Sequence, residues 1–258
     1  MRALADDLGM PCSLPVGAVT RVVSLVPSLT EAVAATRPGA LVGATDWCTH
    51  PADLHLARVR GTKNPDVARV VGLAPQLVIA NQEENRELDV RRLREAGVTV
   101  WVTVIEDVAQ ALASMERLFE AALGWGIPAW LSGARTVWAN PAPEPVARVA
   151  VPIWRDPWMV VGSATFTGDL LARVGLENAF AAHADRYPHV EPAQLDRDDL
   201  DVVLLPDEPY RFTADDGPEA FEHVPTRLVS GRHITWYGPS LVEARQVLET
   251  VARDLATG

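Results

Sequence analysis

Two short apolar runs, each opening into an acid- and aromatic-rich loop, constrain this chain more than any other feature. Gln76-Leu77-Val78-Ile79-Ala80 leads into Asn81-Gln82-Glu83-Glu84-Asn85, and Val202-Val203-Leu204-Leu205 leads into Pro206-Asp207-Glu208-Pro209-Tyr210. A run of this kind bounded by turn residues has the pattern of a strand buried on both faces, as in a parallel sheet. Ligands of open parallel sheets sit beyond the carboxyl ends of such strands. One run in each half predicts an α/β fold of two Rossmann-like lobes with central, mostly parallel sheets and a ligand cleft between the lobes. That geometry suits binding better than bond-making.

The rest of the chain fits this frame. Residues 1–20 read as a hairpin turning at Asp7-Leu8-Gly9, followed by a strand at Val22 to Val26. Ser28 and Glu31 have the spacing of a capping box, which predicts a helix from Pro27. Asn64-Pro65 reads as the cap of a short helix closing near Gly72, and Gly97 as the terminator of a helix begun near Asn85. Between Asp107 and Leu123 the apolar residues recur at helical spacing, and Pro128 to Trp138 reads as a second helix. The proline-rich Asn140 to Pro145 is a breaker. These helices predict a rigid linker at 106–145 between an N-terminal lobe, 1–105, and a C-terminal lobe, 146–258. In the second lobe, strands are predicted at Val146 to Ile153, 201–205 and Ile234-Thr235. Helices are predicted at Thr167 to Val174 and from Pro239 onward.

Composition removes several function classes. With 34 acidic against 23 basic residues and a net charge of −11, and with no basic stripe on any predicted helix, nucleic acid and anionic membranes are not expected partners. No apolar run approaches the ~20 residues of a membrane span. The acidic amino-terminal stretch lacks the apolar core of a signal peptide, which predicts a cytoplasmic protein. Cys12 and Cys48 are too few for a disulfide framework and lack metal-ligand spacing.

The loops after the strands hold large aromatic and polar groups. Trp47 and His50 lie in one loop, and Lys63 and Asn64 in the next. Asn81 and Glu83 follow the first buried run, and Asp207 and Tyr210 the second. Trp154, Arg155 and Trp158 follow the strand near Ile153, Tyr187 and His189 share a loop, and Trp236 closes the last predicted strand. Tryptophan supplies large stacking area and is costly to leave in water, so clusters of it in loops mark ligand surfaces. Trp101, Trp125, Trp130 and Trp138 fall within predicted elements or their caps and are expected in the core. Catalytic signatures are missing. Gly162-Ser163-Ala164-Thr165 is no nucleophile elbow, and neither a P-loop nor a dinucleotide fingerprint is present. No catalytic residue and no dedicated metal ligand is assigned.

The segments Arg21 to Glu31, Gly43 to Pro51, Leu73 to Ala80, Phe166 to Phe180 and Tyr187 to Glu191 resemble the cobalamin- and ferric-siderophore-binding substrate receptors of ABC importers. This is the class with a helical backbone between its lobes, and the resemblance covers nearly the whole chain. It implies that Trp47, Lys63 and Tyr187 line the ligand site, and that a corrinoid is held by shape, apolar contact and a few hydrogen bonds. In such receptors one glutamate on each lobe meets arginines of the membrane subunits. Ala68 and Ala193 stand at those positions here, so docking on a transporter is not expected, although Asp66 and Glu191 lie nearby as substitutes.

The functional expectation is a non-enzymatic binder of cobalamin or another metal-bearing organic cofactor, acting as an intracellular carrier, store or sensor. It needs no cofactor of its own. Burial of a few hundred Å2 of apolar ligand at ~25 cal/mol per Å2 supplies several kcal/mol before ordering costs. The alternatives are a ferric-siderophore- or haem-binding receptor of an importer, and a chelatase-like or corrinoid-processing enzyme using His50, His189 and a nearby acid.

Overall fold

The computed structural model describes residues 1–257. Its elements fall into two compact units, each with its own parallel sheet and core. The first holds Met1–Ile105, Ala109–Arg135 and Tyr237–Pro239; the second holds Glu106–Val108, Thr136–Trp236 and the chain from Ser240 onward.

In the first unit, β1 (Arg2–Ala5) and β2 (Pro11–Leu14) form an antiparallel hairpin. β3 (Val22–Ser24), α1 (Pro27–Thr36), β4 (Leu41–Ala44) and β5 (Ala57–Arg58) follow. A tight hairpin of β6 (Arg60–Gly61) and β7 (Asn64–Pro65) leads to α2 (Val67–Gly72), β8 (Leu77–Asn81), α3 (Glu87–Glu95) and β9 (Val100–Thr103). The five-stranded sheet has the order β5-β4-β3-β8-β9, all parallel. β8 is buried at every position, which explains the unbroken apolar run from Leu77 to Ala80, and its last residue, Asn81, is buried with its side chain hydrogen-bonded. Its core gathers Val23, Leu25, Val59, Val70, Val78, Leu93 and Val102.

α4 (Val108–Glu116) continues as a π-helix over Arg117–Ala122, and α5 (Ala129–Val137) follows. Both predicted helices of this stretch are present, and the dividing lines between the units fall within them. The Arg2 guanidinium donates to the carbonyls of Ala121 and Ala122 at 2.6 and 3.1 Å, joining the amino-terminal hairpin to the widened turns. That hairpin also lies along β9: Asp6 accepts from the Val102 amide at 3.2 Å and pairs with Arg94 at 2.6 Å.

In the second unit come β10 (Ala147–Ala150), β11 (Pro152–Trp154), β12 (Met159–Val160), α6 (Phe166–Ala172) and β13 (Leu176–Asn178). β14 (Val202–Pro206), β15 (Thr226–Val229), α7 (Gly231–Thr235) and α8 (Leu241–Thr257) complete it. The parallel sheet has the order β13-β10-β14-β15, with β14 again buried throughout. Its core includes Ala150, Trp158, Val160, Leu195, Val203, Leu205 and Phe212. Among the described residues, no helix is long and apolar enough to cross a membrane.

Four local expectations are corrected. Ser28 and Glu31 form no capping box: Val26 is the N-cap without a side-chain bond, and Pro27 starts the helix because its missing N–H costs nothing in the first turn. Asn64-Pro65 is a strand of the tight hairpin, and α2 is capped by Asp66, whose carboxylate accepts from the Arg69 amide at 3.0 Å. The strand expected at Val146 to Ile153 is broken in two, β10 and β11. Ile234-Thr235 is the end of helix α7 rather than a strand, and the actual edge strand is β15. Gly97 ends α3 as expected, at φ +82° with its amide on the Arg94 carbonyl.

Candidate functional site

At the carboxyl ends of β3, β4 and β8, the first unit gathers Trp47, Lys63, Glu83 and Glu84. The Trp47 loop is fixed on both flanks: the Asp46 amide donates to the Arg60 carbonyl at 2.8 Å, and the Arg58 guanidinium donates to the Thr45 and Cys48 carbonyls at 2.9 and 2.8 Å. Cys48 is buried between the Thr30 and Thr45 hydroxyls at 3.0 and 3.1 Å, and burial pushes its thiol up. It is a filler that anchors the loop, and no nucleophile. Between these anchors the Trp47 indole is 66% exposed. The loop is thus held in place while its largest apolar side chain stays in water.

Lys63 sits in the two-residue turn joining β6 and β7. That turn lies beside the indole: a side chain begun at Gly61 would stand 3.4 Å from the Trp47 Nε1. The Lys63 ammonium donates to the Glu83 carbonyl. Burial pushes the Glu84 carboxyl up, the Lys63 ammonium pulls it back, and Glu83 adds to the push. His50 is exposed, with its Nδ1 3.2 Å from the Thr49 hydroxyl. Asn64 is exposed in β7.

Asn81 is not a ligand contact as it stands. It is buried; its amide nitrogen donates to Thr103, and its Oδ1 accepts from the Glu83 and Glu84 amides at 2.9 and 3.3 Å. The residue shapes the loop and has no capacity left over.

The second unit carries a comparable aromatic rim. Trp154 pairs with Met159 across β11 and β12, and Met159 bridges His189, so the three lie abreast. The Trp154 indole is 47% exposed and meets the Tyr210 ring edge-on, with centroids 5.7 Å apart at 78°. The Tyr210 hydroxyl donates to Asp216 at 2.7 Å, and this bond, more than burial, pushes the phenol up. His189 is exposed and Tyr187 half-buried in the same loop.

Four residues expected to face a ligand serve the unit instead. Trp158 is 5% exposed, stacked on Phe212 at 5.7 Å and 15° and edge-on to Phe221 at 5.5 Å; it is core. Trp236 is likewise 5% exposed, just past α7. Arg155 spends its charge on Asp216 and Glu219 and lies over the Trp158 ring at 5.5 Å, so it is not a free cation for a ligand. Burial alone would push Glu219 up, but the Arg155 guanidinium holds it below the usual range. Asp207 accepts from the amide of Gly231, the first residue of α7, at 2.6 Å. Sequence reasoning missed Asp216 and Glu219, which tie Arg155 down from more than fifty residues away, and Asn85, which is buried in the first unit.

Among the described residues no group of three or more His, Cys, Asp and Glu side chains is placed to hold a metal ion. The arrangement offers stacking faces and hydrogen-bonding groups in both units. Ala68 and Ala193 are both exposed.

No family model matches the chain. It is 27% identical over 189 residues to the vitamin B12-binding protein of Salmonella typhi, covering 69% of each chain. It is 32% identical over 105 residues to the uncharacterized ABC transporter substrate-binding lipoprotein YvrC of Bacillus subtilis, a match spanning 39% of this chain and 33% of that protein. Among solved structures, the periplasmic vitamin B12-binding protein BtuF of Vibrio cholerae superposes with a TM-score of 0.73 at 18% identity, covering 93% of this chain and 99% of that one. The periplasmic haem-binding protein RhuT from Roseiflexus gives 0.73 at 19%, with 93% and 98% covered. CeuE of Helicobacter pylori with Ni(II) bound gives 0.81 at 11%, with 99% and 90% covered. The two-lobed receptor fold read from the residues is the fold these proteins share.

Proposed function

We propose that this chain, a member of the cobalamin-, haem- and iron-siderophore-receptor class of substrate-binding proteins, binds a corrinoid or another metal-bearing organic macrocycle without transforming it. The observation that carries the reading is the pair of firmly mounted, exposed indoles. Trp47 stands in the loop that follows β4 of the first unit, and Trp154, backed by Tyr210, ends β11 of the second. Aromatic faces give a large ligand apolar contact area, while Lys63, His50 and His189 supply scattered polar contacts of the kind that orient it. The resident carboxylates of the second rim are already occupied by Arg155 and Tyr210, which favours holding over proton transfer.

Haem or a ferric siderophore is the second reading, and Lys63 favours it, because an ammonium at the rim rewards a ligand with carboxylate groups. The exposed methyls of Ala68 and Ala193 support a carrier, store or sensor over a transporter-docked receptor, since neither presents a charge to a membrane subunit.

Calorimetric titration with cyanocobalamin and haemin, beside the absorption spectrum of the purified protein, separates these readings. Saturable binding of one of them, weakened at least about tenfold by Trp47→Ala, is the expected result; one such decade corresponds to ~1.4 kcal/mol. Indifference to both ligands would overturn the proposal.

A further inference from the structure

Asn85 reaches three separate segments of the first unit from a buried position, 4% exposed. Its Nδ2 donates to the Leu25 carbonyl at the end of β3, 3.3 Å away, and to the Thr62 carbonyl in the β6–β7 turn, 2.9 Å away. Its Oδ1 accepts from the Asn81 amide at 2.9 Å. The orientation is fixed by chemistry, because the flipped amide would set its oxygen against two carbonyl oxygens. Thr62 immediately precedes Lys63, so a held Thr62 carbonyl fixes the peptide plane from which Lys63 springs. The circuit then closes: the Lys63 ammonium bonds the Glu83 carbonyl, the Glu83 amide bonds Asn81 at 2.9 Å, and Asn81 returns to Asn85.

We infer that Asn85 is a positioning residue: it holds the only lysine of the chain beside Trp47, as a preset cation for an anionic group on the ligand. This rests on the ligand-binding reading above and adds to it the residue that sets selectivity for charge. A lysine on a free turn would lose backbone and rotamer freedom on binding; here the Thr62 peptide is already held by Asn85 and the ammonium by the Glu83 carbonyl.

The test uses Asn85→Asp, which keeps an acceptor for the Asn81 amide and removes the donor arm toward Leu25 and Thr62. Haemin, a dicarboxylate, and cyanocobalamin, which has no net charge, are titrated against the wild type, Asn85→Asp, Lys63→Met and the double variant. Asn85→Asp is expected to weaken haemin about tenfold, the scale of one charge-assisted hydrogen bond, and to add little once Lys63 is gone. Equal weakening with and without Lys63 would mark a merely structural role and overturn the inference. Amide hydrogen exchange at Lys63 and Asn64 supplies the readout that needs no ligand. Exchange quickened in Asn85→Asp, with α1 and α3 protected as before, shows that Asn85 holds the turn; if the wild type then binds neither compound, the ligand reading falls and the preset cation with it. Unchanged exchange in the turn overturns the inference even if binding is found.

Discussion

Trp47 and Trp158 occupy near-identical sequence settings, each in a loop with acids and a proline close by, yet one is 66% and the other 5% exposed. Phe212 and Phe221 decide the difference, and neither lies near Trp158 in the chain. Local pattern reports that an indole sits in a loop; which side of the loop is covered depends on partners contributed from elsewhere. The same holds for charge. Asp196 accepts from the Glu222, His223 and Val224 amides and from the His223 ring at 2.9 Å, and these bonds hold its carboxyl well below the usual range. The bond to Asp196, followed by its charge, pushes His223 up. The signs follow from linkage: the His223 contribution is full below about pH 6.5 and fades as pH rises through its raised value, while that of Asp196 is full above about pH 4 and fades as pH falls through its lowered one. The 222–224 loop is therefore held most firmly between those limits. An NMR titration of the His223 ring should give a midpoint above the ordinary value of about 6.5, and Asp196→Asn should lower that midpoint; an unmoved midpoint would dismiss the pair.

Elements were legible in proportion to how far their own residues decide them. β8 and β14 are buried at every position, and the apolar runs Leu77 to Ala80 and Val202 to Leu205 are what such strands present. β15 escaped notice because it is an edge strand, partly exposed along its length, with Arg227 in its middle. α7 has a strand-like sequence for the opposite reason: Ile234 and Thr235 are β-branched, and the carboxylate that accepts from its first amide, Asp207, comes from just past β14. At α2 the decisive cap was one residue past the expected Asn64-Pro65. Asp66→Ala should cost about 1 kcal/mol of stability, read as a lower urea midpoint with an unchanged slope, whereas Asn64→Ala should leave the midpoint nearly where it was. Equal effects of the two would place the helix start wrongly.

For the molecule as a whole, the two α/β units with parallel sheets were legible from paired buried runs, and the fold relatives bear this out. Residue types and strand ends singled out Trp47, Trp154 and Tyr210, and the family resemblance added Lys63, but none of these signals reached the Arg155 ion pairs or the Asn81–Asn85 network, which are tertiary. Net charge belongs to this scale too. At −11, the chain repels an anionic ligand over distances that salt screens within about 8 Å at physiological ionic strength. Association of haemin should therefore quicken when salt is raised from low to physiological levels, while that of cyanocobalamin should hardly change. Stopped-flow rates at two ionic strengths measure this, and slower haemin association in salt would mean that the local field of Lys63 outweighs the whole.

That lone ammonium has a practical corollary. Every other basic side chain except the histidines is a guanidinium, which amine-acylating reagents leave alone, so the molecule offers them one side chain and its amino terminus. The chain thus arrives with a chemically unique handle already mounted next to an open indole.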